Sequence, residues 1–367
     1  MKLGDIARES RETYKGNKTD IPIVGLEHLI SGELRFNDYE VNTDNTFTKV
    51  FHKGQILFGR RRAYLKKAAV AEFDGICSGD ITVIEAIPGK VDARLLPFII
   101  QNDRLFAFAV SRSAGGLSPR VKWEHLADYE FELPSIEEQR VLADKLWAAY
   151  ELKEAYKKMI AATDEMVKSQ FIEMFGDVTK NSNDWREYGP IGNYADIVLG
   201  STPDSKNPKY WDGDICWVTP AELNDDVVVI NDTVRHITND GVSAANLTKL
   251  PKGSVLFSTR APIGKVAITG VEMYCNQGFK NFICGNKLNN LYLYYTLKLN
   301  RDYLCTLGTG TTFKELSKKV VESISIAIPP IEMQNKFEDV FKQADKSKFE
   351  LRQAIDKIDK VMKSLLQ

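Results

Sequence analysis

Cysteine is scarce in this sequence and never forms a CxxC pair. Among 367 residues there are four scattered histidines and five cysteines, namely Cys77, Cys216, Cys275, Cys284 and Cys305. A disulfide framework or a structural zinc site needs paired or closely spaced ligands. We therefore predict that the cysteines pack in the interior and that the chain holds no metal.

Long hydrophobic runs are also absent. Nowhere do eighteen apolar residues follow one another, and the amino-terminal stretch "MKLGDIARES" lacks the apolar core of a secretory signal. A membrane-spanning helix and an exported protein would need these features. We expect a cytoplasmic protein.

The signatures of familiar catalytic centres are missing too. The sequence has no GxxxxGK[ST] loop, no HExxH pair, no GxGxxG after a strand and no Asn/Asp-Pro-Pro-aromatic motif. Nucleotide hydrolysis, zinc hydrolysis, dinucleotide binding and amino-methyl transfer thus lack their usual residues. We predict no catalytic residue and no enzyme. An unfamiliar active site would have to use carboxylates such as Glu27 and Glu222, which occupy matching positions in turns.

Charge of either sign is not in excess. The formal net charge is −1, charged residues make up 27% of the chain and apolar residues 43%. A nearly neutral protein has no long-range attraction to a polyanion, so any contact with nucleic acid must come from local basic patches. The composition is that of a globular protein, and the length suits two domains of about 150 residues each.

What the sequence does contain is an internal repeat. The stretch "KGQILFGRRRAYLKKAAVA" at 53–71 returns as "KGSVLFSTRAPIGKVAITG" at 252–270. Each copy reads as an apolar strand that runs into a loop with basic residues. Since a repeat in sequence marks a repeated structural unit, we predict two similar globular domains.

Other segments repeat in the same order. "DIPIVGLEHL" from Asp20 parallels "DICWVTPAEL" from Asp214, and "GICSGD" parallels "MYCNQGF", which sets Cys77 opposite Cys275. An apolar helical run, a Gly-rich turn ("SAGGLS" from Ser113, "LGTGTTF" from Leu307) and a strand that ends in proline then follow in both halves. Each half thus combines strands with a helical segment.

The loops after the repeated strand are the best candidates for binding nucleic acid. Arginine forks suit guanine edges and phosphates, lysines suit phosphates, and glycine turns bring backbone amides close to a partner. The second loop is sparser in cations, which predicts that two DNA-reading halves read different sequences. The predicted DNA contacts are Arg60, Arg61, Arg62, Tyr64, Lys66, Lys67, Gly115, Gly116, Arg120, Thr202, Thr259, Arg260, Lys265, Gln277, Lys280, Thr311 and Lys314.

A long helix is predicted after each globular half. Ser135 and Glu138 have the spacing of a capping box, and Pro330 suits the first position of the second helix. Apolar residues then recur in steps of four and three, the pattern of a coiled-coil seam. The seam positions are Leu142, Leu146, Ala149, Lys153, Tyr156, Ile160, Thr163, Val167, Gln170 and Met174 in the first helix, and Phe337, Phe341, Ala344, Lys348, Leu351, Ile355, Ile358, Met362 and Leu365 in the second.

Lys153 and Lys348 occupy the same seam position in the two helices. Their stems could simply pass the seam and carry the ammonium groups into water. Alternatively, polar groups at these positions restrict the register of the helix pair.

The simplest arrangement pairs the two helices antiparallel, with approximate internal twofold symmetry and one domain near each end. Helices of roughly 40 residues would run about 60 Å, and two heads on such a rod could reach successive turns of one duplex, about 34 Å apart. The predicted boundaries are 1–134 and 179–329 for the domains, and 135–178 and 330–367 for the helical spacers.

These segments resemble the DNA-specificity (S) subunit of type I restriction-modification systems. The resemblance lies in the "LGDI" and "IGNYADIVLGSTP" openings, the "KGxxLF" strands, and "LPSIEEQ" or "IPPIEMQ" before a long helix. "STPDSKNPKYWDGDICWVTPAEL" at 201–223 is especially similar to the start of such a recognition domain. The first half departs from this pattern, because it reads "ARESRETYKG" after Ile6 and lacks the Gly-Ser-Thr-Pro turn.

The resemblance implies that each half is a target-recognition domain of mixed α/β (α+β) structure, similar to that of the TaqI adenine methyltransferase, and reads one part of a split DNA target. The helices would set the gap and dock the methyltransferase subunits, expected to be two, with motor-nuclease subunits joining for cleavage. It implies no cofactor in this chain, with S-adenosylmethionine, ATP and Mg in the partner subunits. Two alternatives stay open: a recognition subunit of a split type II system, and a two-headed coiled-coil adaptor that binds proteins.

Overall fold

The fold consists of two compact units. The first comprises Met1–Lys157 with Arg352–Gln367, and the second comprises Lys158–Leu351. This computed structural model describes residues 1–225, 227–260, 262–310 and 314–366.

The first unit contains short strands followed by helices. In chain order these are β1 (Ala7–Glu9), β2 (Ile23–Val24), β3 (Arg35–Phe36), β4 (Lys49–Phe51), β5 (Ile56–Gly59), β6 (Ala68–Ala71), β7 (Gly75–Cys77), β8 (Ile81–Ala86), α1 (Leu96–Ile100), α2 (Asp103–Ser111), α3 (Trp123–Leu126) and the long α4 (Ile136–Phe175), which continues into the second unit.

The second unit also contains strands followed by helices, with one further helix between its strands. It holds β9 (Tyr188–Pro190), β10 (Ala195–Leu199), β11 (Trp211–Val218), β12 (Val229–Ile230), β13 (Arg235–Ile237), α5 (Asn239–Ala244), β14 (Val255–Thr259), β15 (Ile263–Thr269), β16 (Tyr274–Cys275), β17 (Lys280–Cys284), α6 (Asn290–Leu299), α7 (Arg301–Thr306), α8 (Lys318–Ser323), β18 (Ser325–Ala327) and the long α9 (Ile331–Leu365), which ends in the first unit.

The main sheets of the two units have the same strand order. The first runs β1-β8-β5-β6-β3 and the second β10-β17-β14-β15-β12, with the repeated Lys-Gly strands β5 and β14 at the centre. Both central strands pair antiparallel with both neighbours. The internal repeat predicted from sequence is therefore confirmed, as is the mixed α/β fold.

Each main sheet is covered on both faces, which explains why its central strand is buried throughout. In β5, Phe58 points to the helices and stacks on Phe106 at 5.4 Å between ring centroids. Its neighbour Leu57 packs on the opposite face with Val24 and Cys77. Alternate side chains of a strand point to opposite faces, so a strand between two layers buries every residue.

A small sheet forms the second layer in each unit, and its edges differ. In the first unit β2 lies parallel to β7, and β4 adds to the free side of β7. In the second unit β11 lies parallel to β16, and β13 adds instead to β11. The register confirms that Cys77 and Cys275 are equivalent, since they pair with Val24 and Val218.

Both long helices are fastened at their starts by a buried glutamine. Gln139 donates to Pro134 O at 2.8 Å and accepts from the amide of Asp92 at 3.0 Å. The equivalent Gln334 donates to Pro329 O at 2.7 Å and accepts from the amide of Asn289 at 2.8 Å. Each glutamine side chain thus pairs a backbone carbonyl and a backbone N–H that would otherwise lack a partner in the interior. These bonds join the start of each helix to its domain.

The caps of these helices differ slightly from expectation. The capping box of α4 is present, with the Ser135 amide donating to Glu138 Oε2 at 2.9 Å. Pro330 lies immediately before α9 rather than at its first residue, and its carbonyl accepts from the Met333 amide at 2.9 Å. The predicted domain boundaries at 134 and 329 mark helix starts, whereas each compact unit includes part of both helices.

The ten residues predicted to form the helix interface are all at least half-buried, namely Leu142, Leu146, Tyr156, Ile160, Val167, Phe337, Phe341, Leu351, Ile355 and Met362. The seam prediction needs one correction after Val167. Gln170 and Met174 are only half-buried, whereas Phe171 and Phe175 are fully buried. A straight helix with 3.6 residues per turn drifts ahead of a heptad, so the buried stripe advances by one residue.

The two seam lysines each make an ion pair with the other long helix. Within the first unit Lys153 Nζ lies 2.6 Å from Asp359 Oδ1, and within the second Lys348 Nζ lies 2.7 Å from Asp164 Oδ1. The Lys348 side chain is only 6% exposed. The interpretation that this ammonium merely extends into water is therefore wrong.

Candidate nucleic-acid interface

The basic loop of the first unit connects β5 to β6. It contains a short turn at Ala63–Leu65, flanked by Arg62 and Lys66 in the left-handed conformation with φ of 53° and 51°. The Arg62 amide donates to Pro119 O at 2.8 Å, which ties the loop to the Gly-rich turn. Arg62 and Lys66 are exposed, as is Tyr64, with 53% of its surface accessible.

Asp80 holds two of the predicted arginines side by side. Arg120 Nε donates to Asp80 Oδ1 at 2.6 Å, and Arg61 Nη1 donates to Asp80 Oδ2 at 3.3 Å. Arg61 and Arg120 are also bridged through their backbones. The hydrogen bond from Arg120 lowers the pKa of Asp80, so the carboxylate is charged at neutral pH. The loop and the Gly-rich turn thus form one surface, which also exposes Gly115 and Gly116. We call this surface the corner of the unit.

The cations of this loop fall into two groups. Lys66 Nζ pairs with Asp103 at 2.6 Å, and Lys67 Nζ donates to Leu26 O at 2.7 Å. Within the described part of the chain, the guanidinium groups of Arg60 and Arg62 have no hydrogen-bond or ion-pair partner, and Arg60 Nε is buried. A guanidinium carries five N–H donors, so these two arginines keep hydrogen-bonding capacity that the described residues do not use.

The second unit builds the same corner with opposite charges. Glu315 bridges both Arg260 and Thr309 through the backbone, as Arg120 bridges Arg61 and Ala114 in the first unit. Here the carboxylate of Glu315 accepts from Lys280 Nζ at 2.9 Å. An Arg–Asp pair in one copy is therefore replaced by a Glu–Lys pair in the other.

Two predicted contacts of the second unit lie in the interior. Thr259 has no exposed surface and Lys280 is 6% exposed, and Lys280 Nζ donates to Thr259 Oγ1 at 3.0 Å. This burial corrects the expectation that both reach a ligand at the surface. Arg260 is half-buried, and its guanidinium has no ion-pair partner among the described residues.

A lysine in each unit fastens the turn of the small sheet. Lys265 Nζ donates to Pro220 O at 2.9 Å, as Lys67 does to Leu26 O. Both carbonyls belong to a short turn, which follows β2 in the first unit and β11 in the second. These ammonium groups hold the loops in position.

The remaining predicted contacts are scattered. Thr202 and Gln277 are exposed, and the Thr202 hydroxyl donates to the Gln277 side chain. Lys314 is exposed at the end of the second Gly-rich turn. Thr311 lies outside the described residues.

Sequence reasoning missed several residues at these corners. Asp80 and Glu315 escaped notice because a single acid in a loop carries no pattern. Leu117 projects from the first Gly-rich turn with 97% of its surface exposed. Arg235 is exposed with its guanidinium 3.5 Å from the centre of the Trp211 ring.

The carboxylates considered for catalysis have structural surroundings. Glu222 accepts the Thr219 amide at 2.8 Å and the Val234 amide at 2.7 Å. In the first unit the equivalent acceptor is His28, whose Nδ1 accepts the Gly25 amide at 2.8 Å, so the expected match of Glu27 with Glu222 is shifted by one residue. Glu222 therefore caps a turn.

None of the helices in the described parts of the chain combines the length and the apolar character needed to cross a membrane.

Comparison with known proteins gives one consistent match. The family model described as the type I restriction modification DNA specificity domain matches residues 1–161 and 183–360. The MjaIX type I restriction enzyme specificity subunit of Methanocaldococcus jannaschii is 37% identical over 172 residues, which cover 46% of this chain and 40% of that relative. The matched stretch thus spans less than half of the relative.

Two solved structures share the fold. The S subunit of a type I restriction-modification system from M. genitalium aligns over 100% of this chain and 94% of its own, with a TM-score of 0.59 and 12% identity. A chain from work on complex assembly and conformational transition of the type I R-M system aligns over 100% and 95%, with a TM-score of 0.58 and 19% identity.

Proposed function

Since the chain belongs to the family of type I restriction modification DNA specificity domains, we propose that it is the DNA-binding specificity subunit of a type I restriction-modification complex. Each unit would read one part of a split target. The observation that carries the proposal is the repeated sheet with a different loop at the same corner, Arg60–Lys67 in one unit and 259–265 in the other. A constant scaffold with variable loops suits two readers of unlike sequences.

The first unit offers distinct groups for base and phosphate contacts. Arg60 and Arg62 carry guanidinium groups without a protein partner among the described residues, and Tyr64 is exposed beside them. A guanidinium can bond two acceptors of guanine or of a phosphate. Arg61 and Arg120, held by Asp80, would add positive charge in a fixed position.

The second unit would rely less on charge. Its corner contains the half-buried Arg260. The exposed side chains of Thr202 and Gln277, which are hydrogen-bonded to each other, are further candidates for DNA contacts. Hydroxyl and amide side chains read base edges by hydrogen bonds rather than by long-range attraction. We infer that the two half-sites differ in sequence.

The long helices would set the gap between the two half-sites and dock the methyltransferase subunits. In support, Lys153–Asp359 and Lys348–Asp164 each join α4 to α9 at equivalent positions of the repeat. Ion pairs at equivalent positions fit an antiparallel coiled coil with internal twofold symmetry. A polar pair in an apolar seam opposes slippage of register.

Catalysis would belong to partner subunits. We propose that S-adenosylmethionine serves methyltransferase subunits, two per complex, and that ATP and Mg serve the motor-nuclease subunits. This chain would contribute recognition alone and no catalytic residue.

Binding to duplex DNA in a salt series tests the proposal. The purified chain, alone and with its methyltransferase partner, is titrated against duplexes from the host genome that are methylated in cells and against shuffled controls. Recognition through several phosphates predicts that log affinity falls linearly with log salt, with preference for the methylated sites. Affinity that does not depend on salt would support the protein-binding adaptor instead, and equal affinity for shuffled DNA would contradict sequence-specific recognition.

A further inference from the structure

Three unlike metal-binding groups converge at the edge of the small sheet in the second unit. Cys216 of β11 and His236 of β13 are directly opposite each other in the strand pairing. Asp232 lies in the turn that leads into β13, with its Oδ1 2.9 Å from His236 Nε2 and 3.7 Å from Cys216 Sγ. The third edge of the triangle, Cys216 Sγ to His236 Nε2, measures 3.9 Å.

The triangle has the size that a tetrahedral metal requires. Zinc binds cysteine sulfur at about 2.3 Å and histidine nitrogen or carboxylate oxygen at about 2.0–2.2 Å, so its ligand atoms lie roughly 3.3–3.6 Å apart. The observed edges differ from this range by only a few tenths of an ångström. The carboxylate of Asp232 is 78% exposed, which leaves an approach for the ion and for a water molecule as fourth ligand.

The backbone that carries these ligands is held by bonds that do not involve them. Thr233 Oγ1 accepts from the Trp217 amide at 3.0 Å and donates to Arg235 O at 2.8 Å. The Val234 amide donates to Glu222 at 2.7 Å. Ligands on a fixed turn lose little freedom on binding, and this preorganisation favours a specific site.

We propose that Cys216, Asp232 and His236 bind a divalent transition-metal ion of the zinc type, with water in the fourth position. A thiolate and an imidazole select such ions over magnesium or calcium, which prefer oxygen ligands. The proposal differs from the expectation, based on sequence, that the cysteines pack in the interior and that the chain holds no metal. The site goes beyond the proposed reading of DNA and does not depend on it.

The ion would join β13 to β11 at the edge that distinguishes the two units. Arg235 lies next to the ligand His236 and stacks on Trp211, and Val234 between Asp232 and Arg235 is 83% exposed. In the first unit the corresponding edge of β2 carries only an isolated bridge between Ile23 and Glu40. The metal would therefore stabilise a surface that only the second unit has.

Binding would release a proton from the thiol. The metal binds the thiolate, and its affinity consequently increases with pH.

Titration of the metal-free full-length chain with Co²⁺ alone tests the site. Co²⁺ reports thiolate ligation through a charge-transfer absorption band and can be displaced by Zn²⁺. We expect one Co²⁺ per chain, with affinity reduced at least tenfold in Asp232→Asn and the thiolate band lost in Cys216→Ser. The matched control is Cys305→Ser, a half-buried cysteine of the same unit, which should bind as the unaltered chain does.

Absence of a thiolate band in the unaltered chain at about 0.1 mM Co²⁺ would overturn the proposal. An unchanged band in Cys216→Ser would overturn it as well. Asp232→Asn keeps the exposed turn and removes only a charge, so its reduced affinity would be informative even if Cys216→Ser failed to fold. Since the readout is absorption without DNA, the result is separate from the proposed recognition function.

Discussion

Lys348 Nζ lies 2.7 Å from Asp164 Oδ1, and this ion pair of the second unit has a counterpart in the first, where Lys153 Nζ lies 2.6 Å from Asp359 Oδ1. Both pairs join α4 to α9 and all four residues sit at equivalent positions of the repeat. An ammonium that is 6% exposed, as in Lys348, is costly to leave unpaired. Ion pairs as well as apolar packing therefore join α4 to α9 in each unit.

We predict that replacing the two partners of this ion pair changes the free energy of unfolding by different amounts. Lys348→Met replaces a buried charge with an apolar chain of similar length and should change the free energy of unfolding by no more than about 1 kcal/mol. Asp164→Ala leaves Lys348 with the longer contact to Asp345 at 3.7 Å and the ring of Phe341 at 5.9 Å. It should destabilise by about 1–3 kcal/mol, less than for a fully buried pair because Asp164 is 45% exposed. Urea unfolding measures both, and a larger loss for Lys348→Met would contradict the assignment.

The same lysines should matter for the gap between half-sites. Replacing both Lys153 and Lys348 with methionine removes the polar pairs from the seam, so helix registers that these pairs disfavour become accessible. We expect methyladenine mapping of the assembled complex to show a broader range of gap lengths. If the gap stays unique while the protein remains folded, the ion pairs do not set it.

The buried glutamines at the starts of the two long helices should contribute measurably to the free energy of unfolding. Gln334 has no exposed surface, and its amide makes three hydrogen bonds, to Pro329 O, Lys287 O and the Asn289 amide. Gln334→Ala leaves these groups unpaired in the interior and should lower the free energy of unfolding by about 1–3 kcal/mol.

The exposed Gln343 of the same helix is the matched control, and Gln343→Ala should stay within about 0.5 kcal/mol of the unaltered protein. Thermal or urea unfolding measures the stability of both variants. Equal effects of Gln334→Ala and Gln343→Ala would show that the bonds of Gln334 contribute nothing to the joint between helix and domain.

Asp80 provides a test in which two explanations predict opposite signs. Asp80→Asn removes a negative charge near a proposed DNA surface, so simple electrostatics predicts tighter binding. If Asp80 positions Arg61 and Arg120, affinity for the specific target should fall about tenfold while affinity for unrelated DNA does not fall. Fluorescence anisotropy with target and shuffled duplexes measures both, and tighter binding to the target would exclude the positioning role.

The pH dependence of this contact follows from its pKa. Hydrogen bonding by Arg120 lowers the pKa of Asp80 below its ordinary value of 3.8. A carboxylate of this kind stabilises the fold above its ordinary pKa and loses the effect as pH falls through the lowered value. The contribution of Asp80 should therefore be constant between pH 6 and 8, so a change of its effect across this range in the anisotropy measurement would contradict the assignment.

Local patterns in the sequence predicted the local structure well. The apolar stretch at Ile56–Gly59 forms a central strand, Ser135 caps α4, and the repeat predicts two sheets with the same strand order. These features depend on periodicity and on residues close together in the chain, which a single sequence displays directly.

Features that depend on distant residues were not predictable. Asp80 lies 40 residues from Arg120, and Lys67 finds the carbonyl of Leu26 only once the sheets have packed. The two small sheets extend on opposite edges, although their sequences align in the same order. Charge density in the loop indicated residues that the structure places on one surface, but tertiary contacts decide which of these cations lack a partner among the described residues.

The central claim is that each unit reads its own half of the target, and Arg60 and Arg62 offer the most direct test. Both are replaced by alanine in the complex with the methyltransferase partner, with Arg104→Ala, an exposed arginine of α2, as control. Single-molecule mapping of methyladenine then reports the sequence read by each half. The proposal predicts that the sequence preference at one half-site is weakened or lost, while the sequence of the other half-site and the gap stay unchanged. Equal relaxation of both halves, or an unaltered motif with full activity, would contradict it.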